Sequence, residues 1–335
     1  MKRSFAYGLL FAWLMGTLVG QDIITGLTAH YTFDGNAGDK SGHGNDATPE
    51  GNYQYTVAGR TDGALRIQGD GALYYSGGGY VGLPLFGSEF NQGFTISFWA
   101  KDEVIGQNPV GEEEYVSIGV LDLPQMGIRL NNNNPASPKL TFYLVDLSAG
   151  QNPGNYAFIE KSIPNLTVFA ASWKHFVLTY EPGRFAAFLN GEKLGEASVT
   201  FGGFPVSHAV MGRHWWSSGG ASSARMSVTY DDVLIYNRAL TDNSVAALYG
   251  GLDPCTALIQ ELQAEIAALK ESNAQLTEAN GKLDAEVTEL VAALDEIYRL
   301  SKLPPGRRAS GTNFDGPNGP LINAIIQTLV DPARK

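Results

Sequence analysis

Leu262, Leu269, Leu276, Leu283, Leu290 and Ile297 recur every seven residues without a break, and this repeat constrains the chain more than any other feature of it. A helix packed on its own protein needs only an apolar stripe that drifts with the 3.6-residue turn, whereas a strict repeat of seven is what supercoiled helices require. With those residues at d, the a positions are Ile259, Ile266, Asn273, Asn280, Val287 and Leu294. β-Branched residues at a facing leucine at d favour two parallel strands. Leu294 at a and Ile297 at d leave a trimer as the alternative. In a parallel, in-register pair, Asn273 and Asn280 each meet their own copy, and Glu265 at g can reach Lys270 at e of the partner. Cys255 falls one heptad before Leu262, so two copies meet on the axis and can form an interchain disulfide outside the cytoplasm. Pro304-Pro305-Gly306 stops the helix.

The composition changes at the same place. Residues 21–252 hold 32 of the 40 glycines and residues 253–303 hold one, so the two segments cannot share an architecture. Four divisions follow: 1–20, 21–252, a stalk at 253–303, and 304–335, a Gly/Pro-rich loop followed by a short amphipathic helix. Leu321, Ile322, Ile325, Ile326, Leu329 and Val330 form its stripe, which docks on its own protein or, alternatively, on a partner or membrane surface. Lys2 and Arg3 before the apolar run Phe5–Val19, ending at Gly20, read as an export signal. No later run of 18 apolar residues offers an anchor, so the expected location is secreted, periplasmic or on the cell surface. A net charge of −11 argues against nucleic acid as a partner. One cysteine excludes a disulfide framework within the chain and cysteine-rich zinc sites.

Residues 21–252 show short β-type runs separated by turn signals: Leu27–Phe33, Ala64–Ile67, Phe94–Ala100, Tyr115–Val120, Leu140–Leu144, His175–Tyr180, Arg184–Leu189, Ser207–Met211 and Ser227–Tyr236. Phe94-Thr-Ile-Ser-Phe-Trp99 alternates apolar and small polar residues, as a strand with one buried face does. Phe185–Leu189 runs into Asn190-Gly191, a hairpin signal, with Glu192-Lys-Leu as the return. Many strands and almost no helix make a two-sheet sandwich.

The run His30-Tyr-Thr-Phe-Asp34-Gly, continuing to Asn45, resembles the opening of bacterial laminin-G-like (concanavalin A-like lectin/glucanase) domains. Later signposts of that family stand in the same order: Thr95–Ala100, Trp173–Tyr180, Leu189–Lys193 and Tyr230–Leu240. The resemblance implies a mainly β, concanavalin A-like two-sheet sandwich (jelly roll), here followed by the coiled coil. It leaves the ligand open.

Catalytic signatures are missing or fail. Gly77–Gly82 spells a dinucleotide pattern, but Leu83-Pro84 follows where a helix is needed, so it reads as a flexible loop. Glucanases of the superfamily carry alternating acids on one strand face, and residues 21–252 hold no such pattern. Glu112-Glu-Glu114 is contiguous and reads as a solvated loop. The chain is therefore expected not to be an enzyme.

Two sites suggest themselves instead. Asp39-Lys-Ser-Gly-His-Gly-Asn45 offers carboxylate, hydroxyl, amide and carbonyl oxygens on a curled turn suited to Ca2+. The family resemblance implies that Asp39 shares a structural calcium with Asp231, with Asp232 and Asn45 as further ligands. The alternative is a hydrogen-bonded turn without metal. For ligand binding, Trp215, Trp216, Arg213 and His214 stand in one glycine- and serine-rich loop, with Tyr75 and Tyr80 in another. Aromatic rings there can stack on sugar faces or simply pack between loops. The expectation is a secreted, oligomeric, lectin-like recognition protein that binds glycans. The alternatives are an adhesion protein with an extracellular protein ligand and a divergent glycoside hydrolase.

Overall fold

The computed structural model describes residues 22–69, 78–104, 112–120, 123–131, 134, 136–145, 156–199, 208–213, 227–302 and 319–330. The chain divides into two compact units, Met1–Glu261 and Leu262–Lys335. The described residues of the first form the strands β1 (Leu27–Tyr31), β2 (Thr48–Glu50), β3 (Tyr53–Thr56), β4 (Ala64–Ile67), β5 (Tyr80–Gly82), β6 (Phe94–Val104), β7 (Glu112–Val120), β8 (Leu123–Asn131), β9 (Lys139–Val145), β10 (Tyr156–Ser162), β11 (Lys174–Glu181), β12 (Arg184–Leu189), β13 (Glu192–Ala197), β14 (His208–Met211) and β15 (Ser227–Tyr236). An eight-stranded sheet runs β13-β12-β11-β6-β15-β4-β3, with β1 also paired to β15. A seven-stranded sheet runs β10-β9-β8-β7-β14-β5-β2. The described strand pairings are antiparallel, and the two inner faces enclose one core, as the alternation in the sequence requires.

Phe94, Ile96 and Phe98 of β6 point into that core, in register with Tyr180, Leu178 and Phe176 of β11. The rings of Phe98 and Phe176 stack with centroids 5.3 Å apart. Asn190 (φ 52°) and Gly191 (φ 77°) take the left-handed conformations of a tight hairpin turn and pair Leu189 with Glu192. Helix α1 (Leu166–Ala170) is capped by the Asn165 side chain, and α2 (Asp242–Tyr249) by Thr241. The outer face of the eight-stranded sheet is apolar as well. Val177, Phe188, Leu234 and Tyr236 pack with Val245 and Leu248 of α2, so β11 and β15 are buried on both faces.

Several sequence expectations need correction. Glu112-Glu-Glu114 is not a loop; it opens β7, and Glu114 is buried at 2% exposure. Gly77–Gly82 is not a flexible loop throughout, because Tyr80–Gly82 forms β5 between β14 and β2. β1 ends at Tyr31 because Phe33 turns left-handed (φ 56°). Strands β2, β3, β8 and β10 have no counterpart among the runs read from the sequence. In β10 the outward residues Tyr156 and Phe158 are aromatic, which hides the alternation.

Helix α3 (Pro254–Ser301) covers 48 residues, and its first turn is capped by Asp253, which accepts from the Thr256 amide at 3.0 Å and its hydroxyl at 2.6 Å. In the second unit the heptad leucines are exposed: Leu269 by 61%, Leu276 by 60% and Leu283 by 58%. Helix α4 (Gly319–Val330) buries Ile322 and Ile326 against Ala293, with Ile297 alongside. Among the described residues no helix is long and apolar enough to cross a membrane.

Candidate functional site

Two of the three carboxylates expected to bind calcium, Asp39 and Asp231, accept hydrogen bonds from the protein itself. Asp39 Oδ1 accepts from the amides of His30 (2.9 Å) and Ser41 (2.8 Å), and Oδ2 from the Ser41 hydroxyl (2.7 Å) and the Asn45 amide (3.0 Å). The Asn45 side-chain amide donates to the Thr28 carbonyl at 2.8 Å. Asp231, fully buried, accepts on Oδ2 from the amides of Arg60 (2.7 Å) and Thr61 (3.0 Å), and on Oδ1 from that of Asp232 (2.8 Å). Asp232 faces His30, with Oδ1 3.9 Å from Nε2. Among the described residues no three His, Cys, Asp or Glu side chains gather as a metal cluster. Both Asp39 oxygens already hold two donors, so Asp39 itself fits the hydrogen-bonded turn.

Burial opposes ionisation of Asp39, but the His30, Ser41 and Asn45 donors outweigh it and hold the carboxyl below its ordinary 3.8. The stability this contributes is present above that ordinary value and is lost as pH falls through the lowered one. Asp39→Ala should lower stability by about 1–3 kcal/mol through stranded amides. Melting in calcium and in chelator measures the point: the loss should be equal in both, and a wild-type melting temperature that falls on chelation would contradict the metal-free turn.

The outer face of the seven-stranded sheet is polar and aromatic where the inner face is apolar. Across β7, β8, β9 and β10, one row reads Glu114, Arg129, Thr141, Glu160, and the next reads Ser117, Gly127, Tyr143, Phe158. The pairing places Val210 of β14 beside Ser117, and Gly82 of β5 beside Val210. Tyr143 donates to Glu114 Oε2 at 3.3 Å, and the Arg129 guanidinium lies 5.2 Å from the Tyr143 ring centroid. Gly127 makes this arrangement possible. A Cβ there would lie 2.5 Å from the Tyr143 hydroxyl oxygen and 2.4 Å from the Val116 carbonyl oxygen.

Ser117, Thr141, Tyr143 and Glu114 are buried, and the Thr141 hydroxyl has no hydrogen-bond partner. Burial and then the Glu114 charge raise the Tyr143 phenol well above its ordinary value, so it stays a donor. At the β10 margin Tyr156 and Phe158 stand 43% and 45% exposed, edge to face with centroids 5.2 Å apart. Toward the other margin Arg213 lies 4.5 Å over the Tyr80 ring, and Tyr80 donates to Glu50. Burial and then Glu50 raise the Tyr80 phenol, and burial lowers Arg213.

Two of the expected ligand residues, Arg213 and Tyr80, therefore meet. Trp215, Trp216, His214 and Tyr75 lie outside the described residues. The sequence reading missed Glu114, Ser117, Arg129, Thr141, Tyr143, Tyr156 and Phe158. The available signal was Met126-Gly-Ile-Arg-Leu-Asn131, whose strict alternation marks Arg129 as outward.

A family model described as the concanavalin A-like lectin/glucanases superfamily matches residues 75–246. No curated protein matches the chain. Similar solved structures include the binding domain of botulinum neurotoxin DC in complex with SialylT (18% identity, TM-score 0.50) and the same domain in complex with rat synaptotagmin II (17%, 0.51). Another is described by the dependence of botulinum neurotoxin type C cell entry on two ganglioside molecules (13%, 0.52). They align over 69–70% of this chain and 52–53% of their own, so the chain spans about half their length. At these identities the likeness shows the fold.

Proposed function

Because this chain belongs to the concanavalin A-like lectin/glucanases superfamily, whose fold hosts binding proteins and enzymes alike, we propose that it is a secreted, non-catalytic recognition protein that binds glycans and is multimerised by its long helix. The observation that carries the glycan reading is the outer face of the seven-stranded sheet. The exposed rings of Tyr156 and Phe158 border a polar row of Glu114, Arg129 and Thr141 that runs beside Tyr143. Hydroxyls and charged groups suit a ligand made of hydroxyls, and aromatic edges suit the apolar faces of sugar rings. A retaining hydrolase needs two carboxyls about 5 Å apart. Among the described residues of the two rows, the carboxyls are Glu114 on β7 and Glu160 on β10, three strands apart at about 4.8 Å each, which is too far for that pair.

The neighbours whose names include sialylated or ganglioside ligands support a sugar, and the synaptotagmin complex supports a protein ligand as the second reading. Exposed heptad positions on α3 support the oligomer, and Cys255, exposed and free in the single chain, supports a covalent link between copies. Binding of the full chain to immobilised glycans should be competed by soluble sugar and should fall about tenfold or more in Phe158→Ala, the cost of losing one stacked ring. Binding that soluble sugar leaves untouched would return the face to a protein ligand.

A further inference from the structure

On the opposite side of the sandwich, beneath the outer face of the eight-stranded sheet, lies a cleft of about 690 Å³. This volume is in the range of small-molecule sites. It falls wholly within the first unit. One wall is apolar, formed by Leu27, Leu234, Leu248 and Leu252. The other is polar and of mixed sign, formed by Asp34, Asp62, Asp232, Arg60, His30 and His175.

His175 is only 2% exposed, and its Nε2 pairs with the Ser97 hydroxyl at 2.8 Å, but its Nδ1 has no partner. Burial, and then Arg60, lower this imidazole to about 3, so it is neutral at physiological pH. Arg60 is held in place, with its guanidinium 4.6 Å from the Trp99 ring centroid, and Trp99 stacks in turn on Tyr249. Asp62 (φ 53°) and Asp232 (φ 46°) hold left-handed backbone at the rim, a conformation that non-glycine residues adopt at a cost.

We propose that this cleft is a second ligand site, for a neutral, polyhydroxylated ring of the size of one sugar residue. The lining combines carboxylate acceptors with the cationic donors Arg60 and Lys40. Hydroxyl groups, which donate and accept, satisfy both, and the leucine wall takes the apolar face of the ring. The proposal goes beyond the sheet-face reading and does not depend on it, because the two sites share no residue.

The test is saturation-transfer NMR and calorimetric titration of the full chain with methyl glycosides of glucose, galactose, mannose and N-acetylglucosamine. At least one should bind saturably. Asp232→Asn should weaken it about tenfold through loss of a charged hydrogen-bond acceptor, with the fold kept because asparagine tolerates left-handed backbone. Arg60→Gln, which removes the guanidinium from the lining, should weaken it about tenfold as well. If that variant fails to fold, Asp62→Asn and Asp232→Asn together decide. Absence of saturable binding by all four glycosides, or affinity unchanged in the aspartate variants, overturns the proposal. Loss of array binding in Phe158→Ala with intact glycoside binding would separate the two sites.

Discussion

Leu269→Asp combined with Leu276→Asp is expected to turn the full-length protein into a monomer by light scattering and to weaken its capture by a glycan-coated surface by roughly 10²–10⁴-fold. Both leucines are about three-fifths exposed in the single chain, and each lies on a stripe that repeats every seven residues. A 48-residue helix that leaves such a stripe in water gives up about 1.5–3 kcal/mol for each side chain it could bury. Pairing with a second copy recovers that energy. Asn273 and Asn280 at a then fix a parallel register, in which each amide meets its own copy across the seam. Non-reducing electrophoresis should show a covalent dimer through Cys255 that Cys255→Ser removes, without changing the mass in solution. A monomeric mass for the unaltered protein would contradict this account of the stalk.

Gly127→Ala is expected to be the most damaging single-methyl change on the seven-stranded sheet. The added carbon meets the Val116 carbonyl oxygen at 2.4 Å, and backbone cannot swing aside as a flexible side chain can. It also meets the Tyr143 hydroxyl, which must then leave Glu114 and the Arg129 guanidinium. Overpacking of this kind costs about 1–3 kcal/mol, and loss of the Tyr143 hydrogen bond to the Glu114 carboxylate adds about 1.5–3 kcal/mol more. Chemical denaturation measures the sum, and Tyr143→Phe separates its parts: it should lose the hydrogen bond and keep the packing. Wild-type stability in Gly127→Ala would show that Tyr143 does not lie across this glycine.

The sandwich was legible in the sequence because half-buried strands must alternate. Phe94, Ile96 and Phe98 show the pattern without ambiguity, and the Asn190-Gly191 pair fixes a hairpin by its backbone preference alone. The candidate face was not legible, for the opposite reason. Glu114 is a charged residue in a run of three acids, and composition alone places such a run in water. Its burial depends on Arg129 and Tyr143, which come from two other strands and meet it only through pairing. Asp39 and Asp231 look like cation ligands in sequence because their oxygens can be counted there. The amides that occupy those oxygens become visible only when the turn closes on His30 and when residues 60 and 61 reach β15.

The most direct test of glycan binding on the seven-stranded sheet is hydrogen exchange of the full chain with and without an oligosaccharide that it captures from an array. β10 is an edge strand of that sheet and carries the exposed Tyr156 and Phe158, so its amides should report an occupied face. The account predicts slowed exchange across Tyr156–Ser162 and the neighbouring β9 when the sugar is bound. Unchanged exchange in these strands, with protection confined to other segments, would contradict it.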